Sequence, residues 1–422
     1  MMAERTPFAP GRWRGQLWKV TSRQSPSRVA LAAVLALVLG CALSFASISL
    51  RSTVSPARDG LQRSLMSHNS NPDRDRSFTG DLRRNLPALV LTAVAASVSI
   101  AAGVGGGAFF VPLFSVLLQF TVKGATALSQ ASITGGALSG VACLLLRRHP
   151  LNPSKHLIDF DLALMLTPML LLGVSMGVLA NAIFPNWELV SIDELPSHSL
   201  EEEFVRQAKA LPVPWVQLGE LGLLWGVFLA LQLLKSQQQR CKPLYFLLFA
   251  AQALTALLSG ACFTWQAHKA GQGGHDTSLR RLIRASLVAL GGGCVAGLLG
   301  IGGGMIVGPL MLELGVHPLV SAATSALMVL FSSSMGALAF AFDGALNLQY
   351  AAVFGGACCA ASFVGVLLVA RIVNQSGKAS IVVMLLACIV GTGALLTAGF
   401  GGRNAVHDLS TGNHIGFAPF CR

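Results

Sequence analysis

The residues with most chemistry to offer in this chain are glycines. "GVGGGAFFVP", Gly103 to Pro112, and "GIGGGMIVGP", Gly300 to Pro309, carry four glycines and a proline at the same spacing. Gly103, Gly105, Gly106, Gly107 and Pro112 in the first copy answer to Gly300, Gly302, Gly303, Gly304 and Pro309 in the second. Both copies interrupt long apolar stretches. Each glycine costs a helix roughly 1 kcal/mol relative to alanine, and a proline lacks the amide donor and clashes with the preceding turn. Both segments should therefore unwind. A helix that restarts inside an apolar medium presents unpaired N–H groups and about half a positive charge at its first turn, which is anion-binding chemistry.

Each motif is followed by a segment rich in hydroxyls, "GATALSQASITGGALSG" (124–140) and "LVSAATSALMVLFSSSMG" (319–336). Ser129, Ser132, Thr134, Thr324 and Ser325, with the amide of Gln130, could add neutral donors that hold an anion without trapping it. The competing reading of glycine in apolar helices is close backbone packing. Duplication of the whole pattern, each copy with its own hydroxyl-bearing span, weighs toward binding.

Other chemistries are poorly supplied. There is no Walker A loop and no H-E-x-x-H. The nine cysteines have no C-x-x-C spacing, which speaks against a zinc site or a disulfide framework. No His, Cys or paired-acid constellation stands at the span ends, so neither an enzyme nor a cofactor is indicated. Acids in or at the ends of apolar spans are few: Glu220, Glu313 and Asp343. Such acids are candidates for proton or sodium coupling, and Glu220 is the one taken here. Asp159 and Asp161 open a span and fit as N-terminal caps. The net charge of +12 does not argue for nucleic acid. The basic residues lie between apolar spans and form no aromatic-interleaved stripe.

The elements that must position these residues are membrane helices. The chain is 53% hydrophobic and 11% charged, with mean hydropathy +0.64, too apolar to cover a water-facing surface. Candidate spans fall at 87–120 (broken), 124–146, 160–184, 215–234, 243–264, 282–313 (broken), 318–342, 347–371 and 379–400. The fold class expected is an all-α polytopic membrane protein of two inverted repeats, each of about four helices with a glycine-broken first helix.

By domain, 1–85 is a basic leader with a hydrophobic segment (29–50) and a polar linker. Residues 86–234 form the first repeat, with an acidic loop at 186–214 in which Ser199 and Glu202 form a capping box for a short helix at 200–211. Residues 235–281 link the repeats and open on the basic stretch "KSQQQRCK" (235–242). The second repeat is 282–402 and the tail 403–422. Counting each broken segment as one crossing puts an odd number of crossings between the two motifs, hence the inversion common in secondary transporters. The same count gives the 51–85 side the larger share of Lys and Arg, the mark of a cytosolic face.

Three stretches resemble a known family. "GLLGIGGGMIVGPLMLELGVHPLVSAATSAL" (297–327) is similar to the signature of the TauE/SafE sulfite exporters, the toluene sulfonate uptake permease family. "RRHPLNPSKHLIDFDLALMLTPMLLLGVSMGVLANAIFPNW" (147–187) and "SGKASIVVMLLACIVG" (376–391) resemble its plant-type branch. The resemblance covers roughly 86–402. It implies a secondary transporter, exporter or permease, for small sulfur-containing anions such as sulfite or organosulfonates, with the two glycine motifs, Thr324 and Ser325 as signature residues. Ser129-Gln130 stands where the second copy has Thr324-Ser325, and the acidic insertion at 188–212 departs from the pattern. A passive anion channel, or a membrane receptor or scaffold using the 186–214 loop, are the alternatives. The partners expected are a small anionic substrate, the lipid bilayer and a coupling proton or sodium ion, with no nucleic acid.

Overall fold

The computed structural model describes Asp73, Arg76 and Phe78 and the segments 82–147, 155–183, 214–238, 242–271, 279–316 and 318–376. The expected features at 29–50, 200–211 and 379–400 lie outside the described residues. The described elements are ten helices: α1 (Leu82–Ala101), α2 (Gly107–Leu117), α3 (Val122–Leu145), α4 (Phe160–Ile183), α5 (Trp215–Ser236), α6 (Pro243–Gly271), α7 (Leu279–Leu299), α8 (Gly304–Glu313), α9 (Pro318–Phe342) and α10 (Leu348–Ser376). Eight of them are long and apolar enough to cross a bilayer; α2 and α8 are short. The chain is an integral, multi-pass membrane protein, all-helical in its described residues.

α3, α4 and α9 form the interior and are largely buried, whereas α1, α5, α6 and α10 keep an apolar face outward, as lipid-facing helices do. The packing is reciprocal. α1 lies against α10 and α7 lies against α4, while α3 and α9 cross at the centre. α1, α3 and α10 all begin at one face: Asn85 Nδ2 donates to Tyr350 Oη at 3.0 Å, and the Phe120 and Tyr350 rings meet at 5.1 Å. α4 and α9 begin at the other face, where the Asp159 amide donates to Thr324 Oγ1 at 2.9 Å. α3 and α9 run antiparallel, with Gln130 against Gly336 and Thr134 Oγ1 3.1 Å from Ser333 Oγ.

The first face is closed by residues expected to be a linker. Asp73 Oδ2 accepts from the Thr121 amide at 2.8 Å and its hydroxyl at 2.6 Å, and Arg76 donates to the Leu118 carbonyl at 2.8 Å. Thr121 in turn caps α3 by accepting from the Gly124 amide at 3.1 Å.

α4 and α7 run side by side in the same direction, their backbones in contact through four glycines. A Cβ on Gly173 would strike the Leu290 carbonyl, and one on Gly177 the Cys294 carbonyl; Gly293 and Gly297 face Leu170 and Val174 in the same way. Small residues permit the approach that drives association in lipid. Gly177→Val should therefore lower stability by about 1–3 kcal/mol through overpacking, seen as an earlier thermal loss of the monodisperse peak in size-exclusion chromatography.

The broken segments do not behave as single crossings. Arg84, in the first turn of α1, donates to Gln119 Oε1, just past the end of α2, at 2.9 Å. α1 and α2 thus form a hairpin that enters and leaves at the first face, turning at the glycines. α7 begins with α4 at the second face, and α8 passes directly into the start of α9 there. The crossing count that treated each broken segment as one pass is corrected accordingly. The reason is local: three left-handed glycines within four residues reverse a chain rather than merely interrupt it. α4 ends at the first face, where Lys123 Nζ donates to the Ala182 carbonyl at 3.1 Å. α5 starts at the second, where Gln217 Nε2 donates to Asp161 Oδ1 at 3.3 Å. The residues flanking 184–213 therefore lie on opposite faces.

Candidate functional site

The two glycine turns have one conformation. Gly103, Gly105 and Gly106 have φ of 75°, 94° and 87°; their counterparts Gly300, Gly302 and Gly303 have 76°, 77° and 81°. Three left-handed residues in such a short stretch would cost any other L-residue about 1–2 kcal/mol each. Gly106 and Gly303 are the N-caps of α2 and α8, and neither cap has a side-chain bond. α2 has 11 residues and α8 has 10, so each is about 15–17 Å long, half a hydrocarbon core. Entering from opposite faces, the two half-helices begin at mid-depth, and they begin against each other. A Cβ on Gly107 would strike the Gly300 carbonyl and Ile301 Cα, and one on Gly304 the carbonyls of Gly103 and Val104.

Hydroxyls tie the turns together in exchange. Ser129 Oγ donates to the Gly300 carbonyl at 2.8 Å, and Ser325 Oγ to the Gly103 carbonyl at 2.6 Å. Gln130 Nε2 donates to the Ala296 carbonyl at 2.8 Å, at the end of α7. The reciprocal bonds make Ser325 the counterpart of Ser129, which corrects the pairing of Ser129-Gln130 with Thr324-Ser325. Thr324 lies one residue too early and faces the start of α4 instead. Ser132 bonds back to Leu128 and Thr134 to Gln130 on their own helix. Pro112 and Pro309 stand inside α2 and α8, not at the turns. Each removes a bond from the middle of its half-helix.

The carbonyls of Gly103, Gly300 and Gly302 are thus engaged, and the amides of Gly103, Val104 and Gly300 bond back to the preceding helix, whereas the glycine amides that follow do not donate. Among the described residues, the buried amides of Gly105, Gly106, Gly107, Gly302, Gly303 and Gly304 donate to no protein acceptor. Buried N–H groups without partners are rare and costly. Here they lie at two helix N-termini whose first residues are in contact.

Comparison with protein families matches residues 20–191 and 204–400 to the model described as sulfite exporter TauE/SafE, and so includes both glycine turns. The chain belongs to the sulfite exporter TauE/SafE family. It is accordingly a membrane transporter and not an enzyme. Among curated relatives from Arabidopsis thaliana, it is similar to sulfite exporter TauE/SafE family protein 1, with 31% identity over 79% of this chain and 87% of the relative. It is also similar to family protein 3, with 32% identity over 76% of this chain and 79% of the relative. No solved structure matches the chain.

Within this TauE/SafE transporter several residues at the turns escaped sequence reasoning. Ser332 Oγ donates to the Gly302 carbonyl at 2.7 Å, and Asn181 Nδ2 to the Leu298 carbonyl at 2.7 Å. Thr126 packs against Gly300 with its hydroxyl unpartnered, and Ile133 and Val329 both abut Gly105 and Gly302. Ser332 sits in the hydroxyl run after the second motif. Nothing in the spacing marks Asn181 or Thr126. Glu220 stands exposed in the second turn of α5, apart from the glycine turns.

Asp159 does cap α4, its Oδ1 accepting from the Leu162 amide at 3.2 Å. Burial raises its carboxyl above the ordinary value, against a smaller lowering by that amide. A folded-state value above the unfolded one means that the ionised carboxylate subtracts stability once pH rises through the carboxylate range. Asp159→Asn keeps a capping side chain. Its thermal stability should overtake that of the wild type as pH rises from about 4 to 7, and equal pH dependence in the two proteins would contradict this.

Proposed function

We propose that this transporter moves small sulfur-containing anions, such as sulfite or organosulfonates, by alternating access, with the paired glycine turns as the substrate site. The observation that carries the reading is the set of buried, unpartnered glycine amides at the facing N-termini of α2 and α8. Such ends attract an anion through directed N–H groups and the helix dipole, with no fixed cation to hold it permanently.

The repeats, 86–234 and 282–402 about a link at 235–281, are inverted copies. The antiparallel course of α3 and α9 and the reciprocal packing of α1 on α10 and α7 on α4 support this. Rocking one copy against the other separates the two turns. Ser129 and Ser325 exchange their carbonyl partners for substrate oxygen, and Gln130 and Thr324 border the path. Gly103, Gly105, Gly106, Gly107, Gly300, Gly302, Gly303 and Gly304 form the binding backbone, with Pro112 and Pro309 shaping the half-helices behind it. A proton or sodium gradient drives the cycle, with Glu220 as the candidate coupling acid.

Flux into proteoliposomes, using labelled sulfite, sulfonates, sulfate and chloride with and without proton and sodium gradients, tests the reading. Saturable sulfite or sulfonate flux that responds to a gradient is expected. Non-saturable flux would instead indicate a channel, and the absence of any anion flux would contradict transport of this class. Glu220→Gln should abolish gradient-driven accumulation while leaving counterflow exchange intact; unchanged accumulation removes Glu220 from the coupling role.

A further inference from the structure

Lys235 lies in the stretch that reads from sequence as a basic loop, yet it occupies the last turn of α5 and is 3% exposed. Its Nζ donates to Gln252 Oε1 at 3.2 Å, and Gln252 Nε2 donates to Ser175 Oγ at 2.8 Å. The ammonium also lies 5.2 Å from the Phe249 ring centre and 5.9 Å from that of Tyr245. Beside it is a cavity of about 40 Å³ whose lining includes Ser175, Gln232, Lys235, Ser236, Tyr245 and Asp343. Gln232 is 5% exposed, and its side-chain oxygen has no partner. Such a volume holds about three waters or one small ion.

The site joins four elements: Ser175 from α4, Gln232 and Lys235 from α5, Tyr245 and Gln252 from α6, and Asp343 just past α9. Its inner wall is an ammonium with amides and hydroxyls. The one carboxylate in the lining is that of exposed Asp343, close enough for its charge to act on the ammonium. A buried ammonium is costly unless a counter-charge reaches it, and beside it the N–H groups of Gln232 and the hydroxyls of Ser175 and Ser236 are donors that an anion can use, whereas the Gln232 oxygen is an acceptor that must turn away from it. It is separate from the glycine turns. Gly173 and Gly177 turn the opposite side of α4 toward α7, so a helix width of protein intervenes.

We propose that this cavity is a second anion-binding site, taking one small inorganic anion such as chloride or sulfite on Lys235 and pinning the α5–α6 hairpin to α4 and α9. It does not depend on the substrate reading given to the glycine turns. Asp343 competes with the anion for the ammonium, so the site is strongest when that carboxylate is removed.

Thermal unfolding of the purified full-length protein in gluconate, titrated separately with chloride and with sulfite, tests this. Wild-type protein should gain stability saturably with chloride. Lys235→Met should weaken the apparent chloride affinity at least roughly tenfold, and Asp343→Asn should strengthen it severalfold. Ser325→Ala, altered only at the glycine turns, should keep the chloride response. A response with sulfite alone would place the ion at this site as substrate-like, provided Lys235→Met removes it. Absence of any anion response in the wild type, a response that survives Lys235→Met, or one lost in Ser325→Ala overturns the proposal. If Lys235→Met does not fold, Ser175→Ala and Gln232→Leu decide: loss of the response in either supports the site, and retention in both overturns it. Failure of sulfite flux with an intact chloride response would count against the transport reading alone.

Discussion

Gly107→Ala, the addition of one methyl group, is expected to cut transport roughly 10- to 100-fold, the equivalent of about 1–3 kcal/mol of overpacking. The methyl carbon would fall on the Gly300 carbonyl and Ile301 Cα, where the two turns meet. These are backbone atoms of a segment held by Ser129 and packed under Thr126, so neither side can yield cheaply. Gly304→Ala should act alike from the other repeat, against the Gly103 carbonyl. The control is Gly219→Ala on α5, where a Cβ meets nothing within 4 Å. It should leave flux unchanged and add a few tenths to about 1 kcal/mol of stability from helix propensity. Initial rates of labelled sulfite uptake, normalised to reconstituted protein, measure all three. Equal rates for Gly107→Ala and Gly219→Ala would show that the contact between turns has no part in the cycle.

Removing the exchanged hydroxyls should open the same contact by a different route. Ser129→Ala and Ser325→Ala each delete one hydrogen bond to the opposite turn, worth about 0.5–1.5 kcal/mol, and leave a buried glycine carbonyl without a donor. Each also removes a neutral donor from the proposed anion. Half-saturation for sulfite should rise roughly tenfold in each single variant. The closed arrangement should loosen as well. In a background lacking the nine native cysteines, Ile133→Cys places a thiol where Ile133 abuts Gly105 and Gly302. Its labelling by a small charged thiol reagent should quicken in either serine variant and most in the double variant. Unchanged labelling with altered half-saturation would assign the hydroxyls to binding alone; unchanged values of both would remove them from the mechanism.

Much of this architecture is legible in the sequence because its causes are local. The two G-x-G-G-G motifs mark the turns, since only glycine accepts three left-handed residues in a short run, and φ values at matched positions agree within about 20°. Among the described residues, apolar runs place the spans, with α1, α6 and α10 extending about five to seven residues beyond the runs. What could not be read depends on contacts distant in the chain. That α2 returns to the face where α1 began rests on Arg84 reaching Gln119. That Ser129 matches Ser325 rests on two bonds spanning 171 and 222 residues. Lys235 reads as a surface charge because it opens the basic stretch 235–242, just past the expected end of its span, and only the approach of α4, α6 and α9 buries it. The prolines misled in a smaller way: their chemistry suggested that they make the break, whereas the glycines reverse the chain and the prolines lie within the half-helices that follow.

The most direct measurement is the position of a bound anion. Selenite carries the geometry of sulfite and an anomalous scatterer. In crystals of the full-length protein grown with selenite, the anomalous peak should lie within hydrogen-bonding distance of the amides of Gly106 and Gly107 or of Gly303 and Gly304. A selenite peak only beside Lys235, or at neither place while the same protein transports sulfite, would contradict the assignment of the substrate to the glycine turns.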